Sequence, residues 1–432
     1  MKRNSRWPGF YKLTVDDRRR VAAEALGLNV ADLIAAVGEG GLACEKADKI
    51  IENVLGTFSL PFAVALNVQV NGDDFVAPMV VEEPSVVAAA SNAARMVREG
   101  GGFSAEADEP IMTAQVQFDE VPDCARACTR IKQHASELVA LGNASIPGLL
   151  RRGGGVRGIE PRDLGDGMLV VHIYVDCRDA MGANLVNTVA EAVADRLQIL
   201  SSGRTGLRIL SNLCDRRKVR VTCCVPARAL ATDDLDGADV RDGIVRASRF
   251  AERDPYRAAT HNKGLMNGLD AVVIATGNDW RAVEAGAHAY AARSGKYSPL
   301  CVWHADGEDL MGVLEMPLSL GTVGGPSRVH EGARMGLRVV DASSATELAM
   351  VAASVGMASN LAALRALATD GIQRGHMALH ARSVASAAGA IGADVERVAH
   401  RIHSLGEVTI DAAHRALAEL LHLPTSAPPP AE

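Results

Sequence analysis

The sequence predicts an α+β fold in which helices outweigh strands: a mainly helical large domain, an inserted unit of β-α-β-β-α-β order and a helical C-terminal flap. Three observations carry that prediction. Nearly half of the 432 residues are apolar but only 3% are aromatic, so Ala, Val and Leu must fill the core, and alanine-rich periodic stretches favour close helix packing. Between Ile111 and Leu213 the hydrophobic period switches between strand-like and helical in the order of a ferredoxin-like, split βαβ unit. Strand-like and helical segments resume beyond it, so the unit interrupts a larger body. The expected boundaries are 1–108 with 216–370 for the large domain, 109–215 for the insertion and 371–423 for the flap. Residues 424–432, P-T-S-A-P-P-P-A-E, have the composition of a disordered tail.

The formal charge is -7 with no basic block, which leaves no field for a nucleic-acid partner. No apolar stretch follows the basic N-terminus, and no run approaches the ~18 residues that span a bilayer. A cytoplasmic protein with no membrane partner is expected. The eight cysteines are scattered and none forms C-x-x-C, which suits reduced thiols and argues against a metal or disulfide role.

Taken in order, residues 15–37 read as two short helices, the second over 30–37 with Asn29 as its cap. Gly38-Glu-Gly-Gly-Leu-Ala43 fits G-x-G-x-x-A, but it follows a helix where the dinucleotide fingerprint needs a strand, so it is a turn. Asn71-Gly72 punctuates two β-like runs as a hairpin turn does. Pro84 suits a helix's first turn, which places Glu83 at a strand-to-helix junction before a helix over 86–98. The inserted unit comprises strand 111–118, helix 123–141, strand 155–161, strand 168–177, helix 184–200 and strand 206–213. Val219–Val225 is strand-like, and 314–329, L-E-M-P-L-S-L-G-T-V-G-G-P-S-R-V, supplies a glycine-rich loop. Thr346–Ala368 has long helical periodicity, and helices near 376–388, 393–404 and 410–422 close the chain. That last section is small and glycine-hinged, as a movable lid would be.

Candidate chemistry gathers in the stretch from Asp254 to Tyr290. Lys263 and Asp279 flank the apolar Ala271–Ala275, and charges beside a low-dielectric interior are costly unless paired or used in chemistry. Glu83 either complements a helix dipole or joins such a site. Asp179-Ala-Met-Gly-Ala-Asn184 leads from a strand into a helix. There Asp179 caps the helix, or Gly182 lets a ligand phosphate approach free N–H groups. His376 and His380 have zinc-pair spacing, but Met377 stands where H-E-x-x-H needs its glutamate. No metal is expected, which leaves a packed, solvated or acid–base histidine. Taken singly, Ser85, Arg257 and Asn267 are ordinary polar residues.

In combination the segments say more. D-A-M-G-A-N (179–184), H-N-K-G (261–264), G-N-D-W (277–280), V-E-E-P-S (81–85), E-N-V-L-G (52–56) and A-T-D-G-I-Q-R-G-H-M-A-L (368–379) together resemble 3-hydroxy-3-methylglutaryl-CoA (HMG-CoA) reductase. The likeness is greatest to the bacterial soluble class (class II) and its mevalonate-degrading type. It implies interconversion of HMG-CoA with mevalonate and CoA by two hydride transfers, through a thiohemiacetal and an aldehyde. Lys263 would stabilise the oxyanion, Glu83 would shuttle its proton, and Asp279 would orient Lys263 and raise the proton affinity of Glu83. His376 would protonate the departing CoA thiolate, or deprotonate CoA in the oxidative direction. Ser85, Arg257 and Asn267 would contact the substrate's carboxylate and hydroxyl groups, and Glu52, Asn53 and Gly56 would line the CoA site. Asp179, Met181, Gly182, Asn184 and Asn187 would hold the nicotinamide cofactor on the inserted domain. Sites shared between subunits imply at least a homodimer.

Overall likeness favours NAD and the mevalonate-oxidising direction, but two departures bear on this. Gly324-Gly325-Pro326-Ser327 stands where the family has G-G-A-T or G-G-G-T. The stretch L-G-N-A-S-I-P-G-L-L-R-R (141–152) lacks the acid that NAD-linked relatives place there, and Arg151 and Arg152 suit a 2′-phosphate. An NADP-linked biosynthetic reductase is therefore the alternative. A catalytically silent CoA- or nucleotide-binding module would keep Gly182 but lose the charged quartet, all of which is present.

Overall fold

The computed structural model describes residues 4–38, 41–325, 329–369 and 372–421, and for 372–379 the backbone only. Pro326, Ser327, the His376 side chain and the tail 424–432 lie outside the described residues.

Two sheets organise the chain. The larger contains β1 (Phe62–Val70), β2 (Asp73–Val80), β3 (Phe103–Ala107), β8 (Lys218–Val225), β9 (Cys301–Asp306) and β10 (Asp309–Pro317). Its order is β2-β1-β3-β8-β10-β9. Asn71 and Gly72 both have positive φ, 52° and 88°, as a type I′ turn requires, so the expected hairpin forms between β1 and β2. The smaller sheet contains β4 (Ile111–Asp119), β5 (Gly155–Gly165), β6 (Met168–Asp176) and β7 (Arg204–Leu210), in the order β5-β6-β4-β7 with every pair antiparallel. This is the split βαβ arrangement, and its core includes Phe118, Ile131, Leu138, Ile173, Val189, Val193 and Leu197.

The smaller unit leaves the large sheet after β3 and returns at β8. These strands are antiparallel neighbours from Phe103↔Cys223 to Ala107↔Val219, so the exit and return lie side by side. Asp108 N donates to Lys218 O at 2.8 Å across that stalk.

Several local expectations change. The helix expected over 123–141 is two, Cys124–Gln133 and Ala135–Ala144, because His134 turns its ring onto Arg130 O at 2.8 Å and closes the first of them. The glycine-rich stretch begins inside β10, which runs to Pro317, and β3 and β9 carried no separate sequence signal. Ala345–Ala368 is long and apolar enough to cross a membrane by length and composition, yet 78% of its most apolar window is buried inside the protein. Scattered Ser, Gly and Asn hide that length from a search for contiguous apolar runs. The helix packs along Pro255–Ala275, where Ser359 Oγ donates to Gly264 O at 2.8 Å. Helices Ile372–Ala387, Ala393–Ser404 and Ile410–Leu420 share a separate small core of alanines with Val384, Val398 and Ile402.

Candidate active site

The Pro255–Ala275 helix starts where proline tolerates its missing N–H, capped by Asp254, whose carboxylate accepts Arg257 N at 2.9 Å. Helical periodicity then separates the members of H-N-K-G. His261 and Asn262 turn inward. His261 Nε2 lies 2.8 Å from Cys301 O, and burial drives its pKa down to about 4, so the ring is neutral. Asn262 accepts Leu300 N at 2.9 Å and donates to Ser298 O and to Tyr297 Oη, each at 3.1 Å. These two residues anchor the segment leading into β9, and the next residue is left facing out.

Lys263 is that residue, with its side chain 61% exposed. Its Nζ donates to Glu83 Oε2 at 2.8 Å. Asn267 lies one turn further along the same stripe and is partly buried. Near Glu83 the backbone is strained: Ser85 has φ 76°, and its buried Oγ has no hydrogen-bond partner among the described residues. Arg257 is half-buried with no ion pair among the described residues, and burial alone lowers its pKa. The unpartnered Ser85 hydroxyl carries a desolvation cost of roughly 1–3 kcal/mol, and an anionic, hydroxylated ligand would give both it and the Arg257 guanidinium a partner.

A second site lies where the inserted unit meets the large sheet. A cleft of about 570 Å³ is lined by residues 177–185, by Thr276–Asp279, by Gly321 and Val323–Gly325, and by Arg152. Gly182, at φ 107°, opens the Ala183–Ser201 helix, and a Cβ there would fall against Cys177 Sγ. Only glycine fits, and the helix's free N–H groups open toward the cleft. Asp179 has a different task from capping this helix. Its Oδ1 accepts Ala345 N at 3.0 Å, and its backbone O accepts Thr322 N at 2.9 Å. Met181 and Asn184 line the cleft, whereas Asn187 does not and instead accepts Leu210 N at 2.9 Å.

The two sites are separate. Asp279 lines the cleft and caps the Trp280–Ala291 helix through Arg281 N and Ala282 N. It also pairs with Arg281 at 3.1 Å. From Lys263 to the end of its helix the backbone rises roughly 18 Å, so one chain does not bring Asp279 to Lys263. Glu52, Asn53 and Gly56 are exposed in a segment without regular structure, beside Leu55 and Phe58, which are 102% and 91% exposed. The described residues contain no cluster of three or more His, Cys, Asp or Glu suited to a metal. Sequence reasoning missed Thr276, Asn278 and Gly321 in the cleft wall. Asn278 stands in the quoted G-N-D-W motif, but its partner lies 43 residues away in the glycine-rich loop and gives no local signal. Here it donates to Gly321 O at 3.1 Å and accepts Gly321 N at 2.7 Å.

Fold and site together define a class: an α+β oxidoreductase in which a lysine–glutamate pair on the main body stands apart from a cleft at an inserted βαββαβ unit. The chain belongs to the hydroxymethylglutaryl-coenzyme A reductase family, whose sequence model matches residues 14–381. It is 45% identical to the 3-hydroxy-3-methylglutaryl-coenzyme A reductase of Archaeoglobus fulgidus over 422 residues, covering 96% of this chain and 95% of that protein. Its fold superposes on that of the reductase of Streptococcus pneumoniae with a TM-score of 0.81 at 40% identity, covering 96% of this chain and 100% of the other. A second structure, described as the class II enzyme of that organism bound to NADPH in open conformations, also gives 0.81, covering 84% and 100%.

Proposed function

We propose that this chain interconverts HMG-CoA with mevalonate and CoA by two successive hydride transfers, working with NAD in the mevalonate-oxidising direction. The observation that carries the reading is the 2.8 Å Lys263–Glu83 pair, presented outward from a helix whose flanking His261 and Asn262 are fixed inward. In that reading Lys263 steadies the alkoxide formed at the reacting carbon, and Glu83, already hydrogen-bonded to it, passes the proton. Ser85, Arg257 and Asn267 receive the substrate's carboxylate and hydroxyls, Glu52–Gly56 borders CoA, and His376 serves the thiolate. The division of labour follows: 1–108 with 216–370 for substrate and CoA, 109–215 for the cofactor, and 371–423 as the closing flap.

The cleft suits a dinucleotide in its size, its helix N-terminus and its glycine-lined walls. Asp179, Met181, Gly182 and Asn184 would shape the cofactor site, with Asn187 supporting them through β7. The nicotinamide cofactor would take up the hydride in the oxidising direction, and this chain's residues would hold it against the substrate. Asp279 can act on Lys263 only from a second copy, which makes a homodimer the smallest complete unit. The exposed Leu55, within the Glu52–Gly56 segment, and Phe58, just after it, are the kind of surface that a second subunit covers. Eight free cysteines suit a reducing, cytoplasmic setting.

One observation favours the NADP-linked reading instead: Arg152 lines the cleft with no ion pair among the described residues, ready for a 2′-phosphate. Absorbance at the reduced-nicotinamide band, with mevalonate, CoA and either NAD or NADP, tests both. Signal with NAD and little with NADP is expected; the reverse preference would shift the assignment to the biosynthetic type. No signal with either would sink the enzymatic reading.

A further inference from the structure

Arg217 has no part in the chemistry above, yet its surroundings are unusual. The residue is 4% exposed, and among the described residues no carboxylate hydrogen-bonds to its guanidinium. Nη1 donates to Ala180 O at 3.2 Å and to Met181 O at 3.1 Å, and Nη2 donates to Leu320 O. The nearby carboxylates are engaged elsewhere. Asp176 pairs with Arg157 at 2.7 Å and Arg178 at 3.6 Å, and Asp179 accepts Ala345 N. Burial lowers the pKa of Arg217, but a guanidinium stays charged in proteins. Asp176 and Asp179 favour its charge from nearby, yet a buried cation whose hydrogen bonds go to carbonyls rather than to a carboxylate is costly to maintain.

The three carbonyls belong to opposite walls of the cleft. Ala180 and Met181 lead into the Ala183–Ser201 helix, and Leu320 precedes the glycine-rich wall. Three other contacts join those walls: Asp179 O accepts Thr322 N at 2.9 Å and Val323 N at 3.3 Å, an isolated bridge pairs Ala180 with Val323, and Gly321 lies so close that an added Cβ would be 2.5 Å from Met181 N. Arg217 itself stands on the return stalk just before β8, where its backbone O accepts Leu318 N at 2.9 Å. A single side chain therefore ties the inserted unit, the stalk and the large-domain wall together.

We propose that Arg217 is a positioning residue of the cofactor cleft. It holds the two walls in register through Ala180, Met181 and Leu320, and it places a fixed positive charge behind the helix start where an anionic dinucleotide would lie. The inference rests on the cofactor reading of the cleft.

The test is fluorescence titration of the full-length protein with NADH and with NADPH, together with the KM for HMG-CoA and the melting temperature. Arg217→Met should weaken binding of whichever reduced cofactor the wild type takes by about tenfold or more, while the KM for HMG-CoA moves less than about twofold. Arg217→Lys keeps the charge but not the three-carbonyl fork, and its affinity should fall between the two. Binding to Arg217→Met should also lose part of the salt dependence that the wild type and Arg217→Lys retain. Gly321→Ala strikes the same contact from the other wall and should give the same split, so it carries the test if an Arg217 variant does not fold. Wild-type cofactor affinity in Arg217→Met, or a KM for HMG-CoA that rises in step with the cofactor constant, would reduce Arg217 to a structural residue and overturn the proposal. If the wild type binds neither cofactor, the reading of the cleft itself fails.

Discussion

Around Lys263 the functional groups are side chains turned outward, whereas around Gly182 they are largely backbone atoms held in place by close packing and by a buried arginine behind the cleft. The first region tolerates exposure: Lys263 and Glu83 are 61% and 34% exposed and meet at the surface. An exposed ion pair contributes little to stability, typically under about 1 kcal/mol, so these residues are free to serve chemistry. The second region has no such freedom. Its shape depends on a positive φ at Gly182, a glycine pressed against Met181 N and a buried arginine on three carbonyls. Change in the first region should therefore separate activity from stability, and change in the second should couple them.

The largest expected effect tests the first half of that contrast. Lys263→Ala should lower kcat on the order of 10³-fold, because no neutral side chain replaces a cation at an oxyanion. Its melting temperature should stay within about 1 °C of wild type, given the small worth of an exposed pair. Near-normal turnover would mean that another cation does the work. Gly182→Ala addresses the second half. A side chain at φ 107° against Cys177 Sγ should cost about 2 kcal/mol in stability and raise the cofactor KM about tenfold. A variant that melts normally while losing cofactor affinity would break the contrast.

The contrast also accounts for what the amino-acid sequence disclosed. Glu83, Lys263 and Asp279 were legible because charge beside apolar runs and short polar motifs are local signals. The role of each motif member was less so: in H-N-K-G only the lysine faces out, a distinction set by contacts of His261 and Asn262 with residues 297–301. The inserted unit was legible from its alternating periods. Arg217 was not, since its partners lie 36, 37 and 103 residues away and are carbonyls, which every residue carries. In sequence it is one more arginine in D-R-R-K, indistinguishable from a surface charge. The capping alternative for Asp179 fails for the same reason: its carboxylate accepts Ala345 N, 166 residues distant.

A smaller effect bears on how the two regions meet. If Asp279 from the cleft of one copy serves Lys263 of another, chains carrying Lys263→Ala and chains carrying Asp279→Ala, each inactive alone, should complement when mixed. Random reassociation leaves half the dimers mixed and each mixed dimer with one intact site, so about a quarter of wild-type activity should return. Dissociation and reassociation followed by the nicotinamide assay measures it. No recovery, with dimer exchange verified by mass, would show that Asp279 does not complete the Lys263 site and remove the reason for a shared one.

The smallest effect lies on the helix that carries Lys263, two turns further along the same stripe, where the outward face turns inward. Asp270 Oδ1 is buried without a partner among the described residues, and its carboxyl faces Glu284 on the following helix. Burial and that second carboxyl push its pKa from 3.8 up to about 8, so one proton is retained in the folded protein where the unfolded chain would release it. The sign follows from linkage. A carboxyl with a raised folded pKa contributes stability that is complete below its unfolded pKa and is lost progressively as pH rises toward its folded one. Between about pH 4 and pH 8 this group makes the protein less stable as pH increases. Glu315 does not act in the upper part of that window, because Arg220 and Tyr290 hold its pKa down at about 2 and its contribution changes only in acid. His261, depressed to about 4, pulls the opposite way below its unfolded value near 6.5. The difference between variant and wild type removes both. Asp270→Asn keeps a hydrogen-bond donor toward Glu284 without the charge, so its melting temperature relative to wild type should climb from pH 5 to pH 8 and then level off. A gap that stays flat with pH would mean that Asp270 ionises normally, and that the inward end of the stripe is as open to water as the Lys263 end.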